Sequence, residues 1–318
     1  MDAPTYAEAA CSALGDSMAA DDRVVVLGED VGRGGIFGQY LGLQQRFGSQ
    51  RVIDTPISEA TIMGAGVGMA LAGCRPVVEM RSVDFALCAM DEIVNQAAKN
   101  RFMFGGQGRV PLVARLPMGI WSASAAQHSQ SLEAWFVHLP GLVVIAPSTA
   151  SDNAHLLRAA IECDDPVIYL EHKELWGSRD GATALPPLAI GQARVCRTGD
   201  DLTIVSWSRQ LHWALEAART LAADGIAAEV IDLATLWPWD RDTVLASAAR
   251  TGRLLVTHEA VQVAGLGAEI AATAAESLGC RIKRAGAPRI PVGYAATLEE
   301  VARVRPAAIA AAARVLMA

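Results

Sequence analysis

Glu59 heads a stretch, Ile62 to Cys74, that carries no charge, and no basic residue adjoins it. A carboxylate there has two uses. It can stabilise the first turn of a helix through the macrodipole, by about 0.3 to 1 kcal/mol, with Thr55 or Ser58 helping to cap. It can also hydrogen-bond a polar ligand where water is scarce. Gly64, Gly66 and Gly68 lie in the same run, and each costs roughly 1 kcal/mol in a helix relative to alanine. Such a cost suits a helix buried between neighbours, here across a subunit boundary, where another backbone comes close. The second candidate is His128 in Gln127-His128-Ser129-Gln130-Ser131. A helix starting near Ser131 would favour the neutral imidazole, which is able to move protons. A helix-capping histidine beside a surface loop is the alternative, since no orienting base can be named.

Other motifs carry less. The loop Gly28-Glu29-Asp30-Val31-Gly32-Arg33-Gly34-Gly35 resembles a phosphate loop, but its carboxylates repel phosphate and no Lys-Ser/Thr pair follows. Gly105-Gly106-Gln107-Gly108 leads into a strand and reads as a turn. His128 and Ser129 are adjacent and lack a Gly-x-Ser-x-Gly elbow, so they make no nucleophile pair. His138, His155, His172, His212 and His258 are too widely spaced to suggest a metal set.

Positioning these residues requires a frame. Short apolar segments at residues 24–27, 76–80, 110–115, 142–146 and 167–170 alternate with helical stretches at 60–71 and 90–103. That is the pattern of a parallel sheet covered on both faces. Gly73 and Pro76 close the first of these helices. Residues 178–190 are rich in Gly and Pro and read as a linker. Beyond it the alternation restarts, with strands at 202–205, 229–233 and 254–257 and helices near 209–223, 241–249, 267–278 and 306–316. The expectation is a two-domain α/β protein, residues 1–180 and 181–318, with mainly parallel sheets.

A chain of 318 residues, 52% hydrophobic, can bury two ordinary cores. A net charge of -7 with no long basic run argues against nucleic acid and anionic membrane as partners. Six scattered cysteines suit reduced thiols. No signal peptide and no apolar run of the roughly 20 residues that cross a bilayer is evident. The reading is a soluble, cytoplasmic protein.

The blocks LGEDVGRGGIFGQYLGL, RVIDTPISEA, GVGMALAGCRPVVEM, MDEIVNQAAKNRFMFGGQ, AAQHSQSLEAWFVHLPGL and DDPVIYLEHK, met in that order, resemble the beta subunit of the thiamine-diphosphate-dependent component of 2-oxo acid dehydrogenases. AEVIDLATLWPWD and RLLVTHEA extend the resemblance to the C-terminal domain. It implies a transketolase-like pyrimidine-binding domain followed by a Rossmann-like domain. It also implies oxidative decarboxylation of pyruvate or a related 2-oxo acid, with acyl transfer to a lipoyl domain. An acetoin-cleaving or standalone split transferase or carboligase is the alternative, and a noncatalytic interaction subunit a third reading. The expected partners are an alpha subunit, in an α2β2 heterotetramer, and a lipoyl acyltransferase.

By the resemblance, Glu59 bonds the aminopyrimidine of thiamine diphosphate and favours the tautomer that deprotonates the thiazolium carbon. Ile57 and Phe85 pack on the pyrimidine, Glu29 joins the carboxylate network, and His128 faces substrate and the lipoyl group. Magnesium falls to the alpha chain, because no Gly-Asp-Gly segment followed by paired asparagines occurs here. A potassium site is implied at Leu112, Ala160, Ile161, Cys163 and Asp165, with Cys163 where Asp is usual. Arg81 departs from the Met or Gln usual beside the cofactor. It would anchor a substrate carboxylate or pair with Glu79 or Asp84.

Overall fold

The structure, a computed structural model, describes residues 3–179 and 186–318. The chain forms two compact units. One holds the residues up to Met118 together with Trp135–Ile190, and the other holds Gly119–Ala134 and Gly191–Ala318. The linker at 178–190 lies partly outside the described residues, and so does the expected division at 180/181. The segment Gly119–Ala134, which carries His128, groups with the C-terminal unit, a membership that a single cut in the sequence does not express.

In the first unit six strands run parallel: β1 (Val24–Gly28), β2 (Val52–Asp54), β3 (Arg75–Glu79), β4 (Val113–Met118), β5 (Val143–Ile145) and β6 (Val167–His172). Their order is β5-β6-β4-β3-β1-β2. β1, β4 and β6 are buried at every position, and β3 at all but its first. That is why their sequences are mostly apolar, β1 wholly so, with Arg115 in β4 and Glu171 in β6 as buried exceptions. After β2 the chain crosses back over β1 to reach β3, so strand order reverses at β1/β3. Ligands of open α/β sheets sit outside the carboxyl ends of the strands at such a switch point.

Three elements feed that edge. Helix Glu59–Leu71 follows β2 and ends at Ala72, with Gly73 at φ +99° just beyond. Its Gly66 faces the sheet, where an added Cβ would lie 2.6 Å from Val78. Thr61, Ala65, Gly68 and Leu71 are exposed along its other side. Where the sequence suggests one helix over 90–103, the chain forms a 3-10 turn (Phe85–Ala89), a π-helical stretch (Glu92–Ala97) and an α-helix (Ala98–Met103). The N-terminal helix Tyr6–Ala20 opens on a capping box in which Thr5 and Glu8 satisfy each other's backbone.

A buried polar chain crosses this unit. The Arg115 guanidinium is fully buried and pairs with Glu171, which also accepts from Asn153 at 2.8 Å. Asn153 in turn accepts from the Tyr169 hydroxyl at 2.9 Å. Tyr40 lies under the same guanidinium, 4.9 Å from ring centroid to Cζ, and donates its hydroxyl to Glu79.

The second unit contains β7 (Arg194–Arg197), β8 (Leu202–Ser206), β9 (Ala228–Asp232), the short β10 (Thr235–Trp237), β11 (Arg253–Val261) and β12 (Arg281–Ala287). Its five-stranded sheet has the order β12-β11-β8-β9-β7, parallel except for β7. Helices Ser208–Ala223 and Pro306–Met317 pack an Ala/Leu core against it, with Leu211, Ala214, Leu221, Ile309 and Ala313 buried.

Candidate active site

Glu29 follows the last residue of β1, Arg81 lies two residues past β3, and Glu59 opens the helix after β2. The parallel register pairs Gly28 with both Asp54 and Glu79, so the carboxyl ends of the three strands emerge side by side. This register brings Glu29, Glu59 and Arg81, which lie 22 to 52 positions apart in sequence, to one edge of the sheet.

The edge is acidic, and Arg81 is the cation that enters it, while the exposed Arg33 lies 3.8 Å from Asp30 on the outside. Arg81 Nη1 bonds the Asp30 carboxylate and lies 3.9 Å from Glu29 Oε2. Its backbone N–H donates to Glu79 Oε1 at 3.0 Å. Asp30 and Arg81 both sit at positive φ, +57° and +49°, a conformation that is strained for side-chain-bearing residues and recurs at functional sites. Burial pushes the Glu29 carboxyl above its usual range; Arg81 opposes this, while Glu59 and Asp30 add to it. Glu29 and Glu59 are thus close enough to act on each other.

Glu59 is half-buried, and Ser58 at its N-cap makes no side-chain capping bond. Ile57, two residues earlier, leaves 78% of its surface exposed. Phe85 is half-buried at the head of its 3-10 turn, which the Ser82 carbonyl anchors at 3.1 Å. Two carboxylates that feel each other's charge, with the uncovered Ile57 two residues before Glu59, suit the edge of a nitrogen-bearing aromatic ring and one of its faces.

Arg81 does form ion pairs, but with Asp30 and Glu29, not through its side chain with Glu79 or Asp84. Its guanidinium therefore serves the carboxylate edge, and Asp84 instead accepts from the Ser82 hydroxyl at 2.6 Å. Sequence reasoning named Glu79 only as a partner for Arg81 and missed its burial, which pushes the carboxyl up to about 7 against the pull of Arg115 and Tyr40. Its position inside the apolar run VVEM was the available signal.

The potassium set does not fit a carbonyl cage. Arg75 Nη1 already donates to the carbonyls of Ile161 and Cys163 at 2.9 and 3.0 Å. The Leu112 and Ala160 carbonyls accept backbone N–H groups, and Arg101 pairs with Asp165 at 2.6 Å. A guanidinium beside those oxygens repels a second cation. Among the described residues no group of three His, Cys, Asp or Glu could hold a metal, and no helix is long and apolar enough to cross a membrane.

His128 lies on the segment Gly119–Ala134 of the second unit, exposed, with its N–H toward the Ala125 carbonyl at 3.4 Å. The helix expected near Ser131 is the five-residue Glu133–Val137.

Fold and site together define a protein of the transketolase class. Residues 2–178 match the family model "Transketolase, pyrimidine binding domain" and residues 191–309 match "Transketolase, C-terminal domain". The chain is 40% identical to 2-oxoisovalerate dehydrogenase subunit beta of Bacillus subtilis, over 99% of both chains. It is 44% identical to pyruvate dehydrogenase E1 component subunit beta of Rickettsia bellii, over 94% of each. It is also 42% identical to acetoin:2,6-dichlorophenolindophenol oxidoreductase subunit beta of Cupriavidus necator, over 96% of this chain and 95% of that one. The fold superposes on a solved chain described as a split gene transketolase, inactive beta4 tetramer, with TM-score 0.84, 24% identity and 98% of both chains covered. The chain belongs to the family of beta subunits of the thiamine-diphosphate-dependent E1 component of 2-oxo acid dehydrogenases.

Proposed function

We propose that this chain is the beta half of an enzyme that oxidatively decarboxylates pyruvate or a related 2-oxo acid and passes the acyl group to a lipoyl domain. The observation that carries the reading is the meeting of Glu59 and Glu29 at the β1/β3 switch point, beside the exposed Ile57. Thiamine diphosphate, when bound, supplies the carbon nucleophile and electron sink for decarboxylation. Glu59 would accept a hydrogen bond from a protonated pyrimidine nitrogen, a charge-assisted bond of about 1.5 to 3 kcal/mol. Glu29 would share the proton held at that carboxylate pair, while Ile57 and Phe85 exclude water and fix the ring plane. His128 would exchange a proton with the substrate-derived oxygen or the lipoyl sulfur.

The phosphate and magnesium end belongs to an alpha chain in an α2β2 assembly, because neither a Gly-Asp-Gly segment with paired asparagines nor an acidic metal cluster is found among the described residues. Six free cysteines suit a reducing cytoplasm. Cleavage of acetoin is the second reading, favoured by the Cupriavidus relative.

Co-expression with an alpha subunit, followed by a screen of 2-oxo acids and acetoin with an artificial electron acceptor, tests both. Turnover of a 2-oxo acid that depends on thiamine diphosphate and is carried on to a lipoyl domain is the expected result. Absence of turnover with every substrate in a correctly assembled complex overturns it.

A further inference from the structure

The segment that carries His128 is held in an unfavourable conformation. Gly119 lies at φ +90°, but Ser122, Ala123 and Ala125 are also left-handed, at +47°, +55° and +61°. Side-chain-bearing residues stay in that region only when the surroundings force them to. The surroundings here are two carboxylates of the C-terminal unit.

Glu259, on β11, closes the neck of the loop. Its Oε1 accepts from the Ile120 N–H at 2.9 Å and from the Ser131 hydroxyl at 3.0 Å, beside the Gly119 N–H to Gln130 carbonyl bond at 2.9 Å. Glu299 grips the loop farther out: its Oε2 accepts from the N–H of the left-handed Ala123 at 2.7 Å, and its Oε1 is fixed by Arg303 at 2.8 Å. Both carboxylates are largely buried, at 8% exposure each, so their bonds to N–H groups escape competition from water.

The seat of Glu259 is itself rigid. His258, next to it, stacks on Trp207 with centroids 5.4 Å apart, and Trp207 donates to Glu133 at the end of the loop at 3.3 Å. Gly265, Gly267 and Gly286 leave no room around the His258 ring, since a Cβ on any of them would approach it within 2.6 to 2.8 Å.

We propose that Glu259 and Glu299 are positioning residues for His128. Neither touches substrate; they hold the strained loop whose outer part presents the imidazole. The role rests on the reading of His128 given above. It assigns the C-terminal unit a part in acyl transfer that does not need any of its own groups at the reacting atoms.

The test uses Glu299→Ala, Glu299→Gln and Glu259→Gln in the full chain and in the assembled alpha–beta enzyme. Hydrogen exchange across residues 119–131 should speed up by about tenfold or more in Glu299→Ala, while the rest of the C-terminal unit keeps its protection. Acyl transfer to a lipoyl domain should drop about tenfold in kcat, with KM for the 2-oxo acid and the affinity for thiamine diphosphate within about twofold of the parent. Glu259→Gln keeps the one acceptor oxygen that Ile120 and Ser131 share and should retain most of both, while Glu299→Gln keeps one of the two acceptors that Ala123 and Arg303 use and should restore part of both. Unchanged loop exchange in Glu299→Ala overturns the proposal. So does a loss that spreads over the whole unit and is not rescued by Gln, because that marks a merely structural role. Faster loop exchange with unaltered acyl transfer would leave the clamp standing and sink the role assigned to His128.

Discussion

Arg81 Nη1 stands 3.9 Å from the Glu29 carboxylate and bonds Asp30, so one guanidinium past the end of β3 serves two acids that follow the adjacent strand β1. It is about a third exposed, and its attraction is therefore screened, yet it is the chief force opposing the burial that raises Glu29. Replacing it with Met should let the Glu29 carboxyl rise further. The acid limb of the kcat/KM profile then moves to higher pH, because the dyad keeps its proton longer on the way up from acid. Lys at 81 should move it less. A pH profile of Arg81→Met that overlays the parent would show that Glu29 takes no part in the titration that limits catalysis.

Glu59→Gln keeps the shape of the side chain and its place in the first helical turn but removes the charge. Turnover in the assembled enzyme should fall by about 10² to 10⁴, the span of proton-transfer assistance. The melting temperature of the chain should change little, since the first-turn dipole contribution is only about 0.3 to 1 kcal/mol. A large stability loss at near-normal turnover would reverse the assignment and make Glu59 a helix-capping charge.

The central strands were legible because burial on both faces leaves them mostly apolar, as in Val24-Val25-Val26-Leu27, with few buried polar residues such as Arg115 and Glu171 to blur them. Edge strands were not. β12, with Arg281, Lys283 and Arg284, and β7, with Arg194 and Arg197, face water on one side and border the sheet, so their sequences look like loops. Helix Tyr6–Ala20 is Ala-rich and weakly patterned, although Thr5 and Glu8 spell its capping box. Glu59 could be found because it breaks an uncharged run. Arg115 and Glu171 could not be paired in advance: 56 residues separate them, and only the parallel register of β4 and β6 makes them neighbours. The grouping of Gly119–Ala134 with the C-terminal unit depends on contacts with Glu259 and Glu299, more than a hundred residues away, which no local pattern announces.

Glu79 makes stability depend on pH in a direction opposite to most carboxylates. Its folded value is about 7 against an ordinary 4.5, burial being the main cause. Between those values the folded chain holds the proton and the unfolded chain has released it. Stability is then greatest below pH 4.5 as far as this group is concerned, and falls as pH rises toward 7, by up to about 1.4 kcal/mol per pH unit per proton. Glu133, also raised to about 7 by burial, adds a like slope in the other unit. Urea midpoints measured from pH 5 to 7.5 should therefore decline less in Glu79→Gln than in the parent, with Glu79→Gln/Glu133→Gln flatter still. An unchanged decline in Glu79→Gln would mean that the Glu79 carboxyl titrates in its normal range.

Gly28 tests the geometry of the switch point directly. It ends β1 at φ +152°, and a Cβ there would fall 2.6 Å from the Glu79 carbonyl and 2.8 Å from the Glu79 Cβ. Neither atom can yield without moving β3 away from β1, just where Glu29 and Arg81 emerge. Gly28→Ala should therefore lower stability by about 2 kcal/mol or more, combining overpacking with backbone strain. It should also weaken thiamine diphosphate binding in the assembled enzyme. Gly225 is the control: its φ is +77°, but a Cβ there meets nothing within 4 Å, so Gly225→Ala bears the backbone strain alone, about 1 kcal/mol. Calorimetric titration of cofactor into both variants separates the two effects. Equal cofactor affinity in Gly28→Ala and Gly225→Ala would show that the spacing of β1 and β3 does not govern the carboxylate edge.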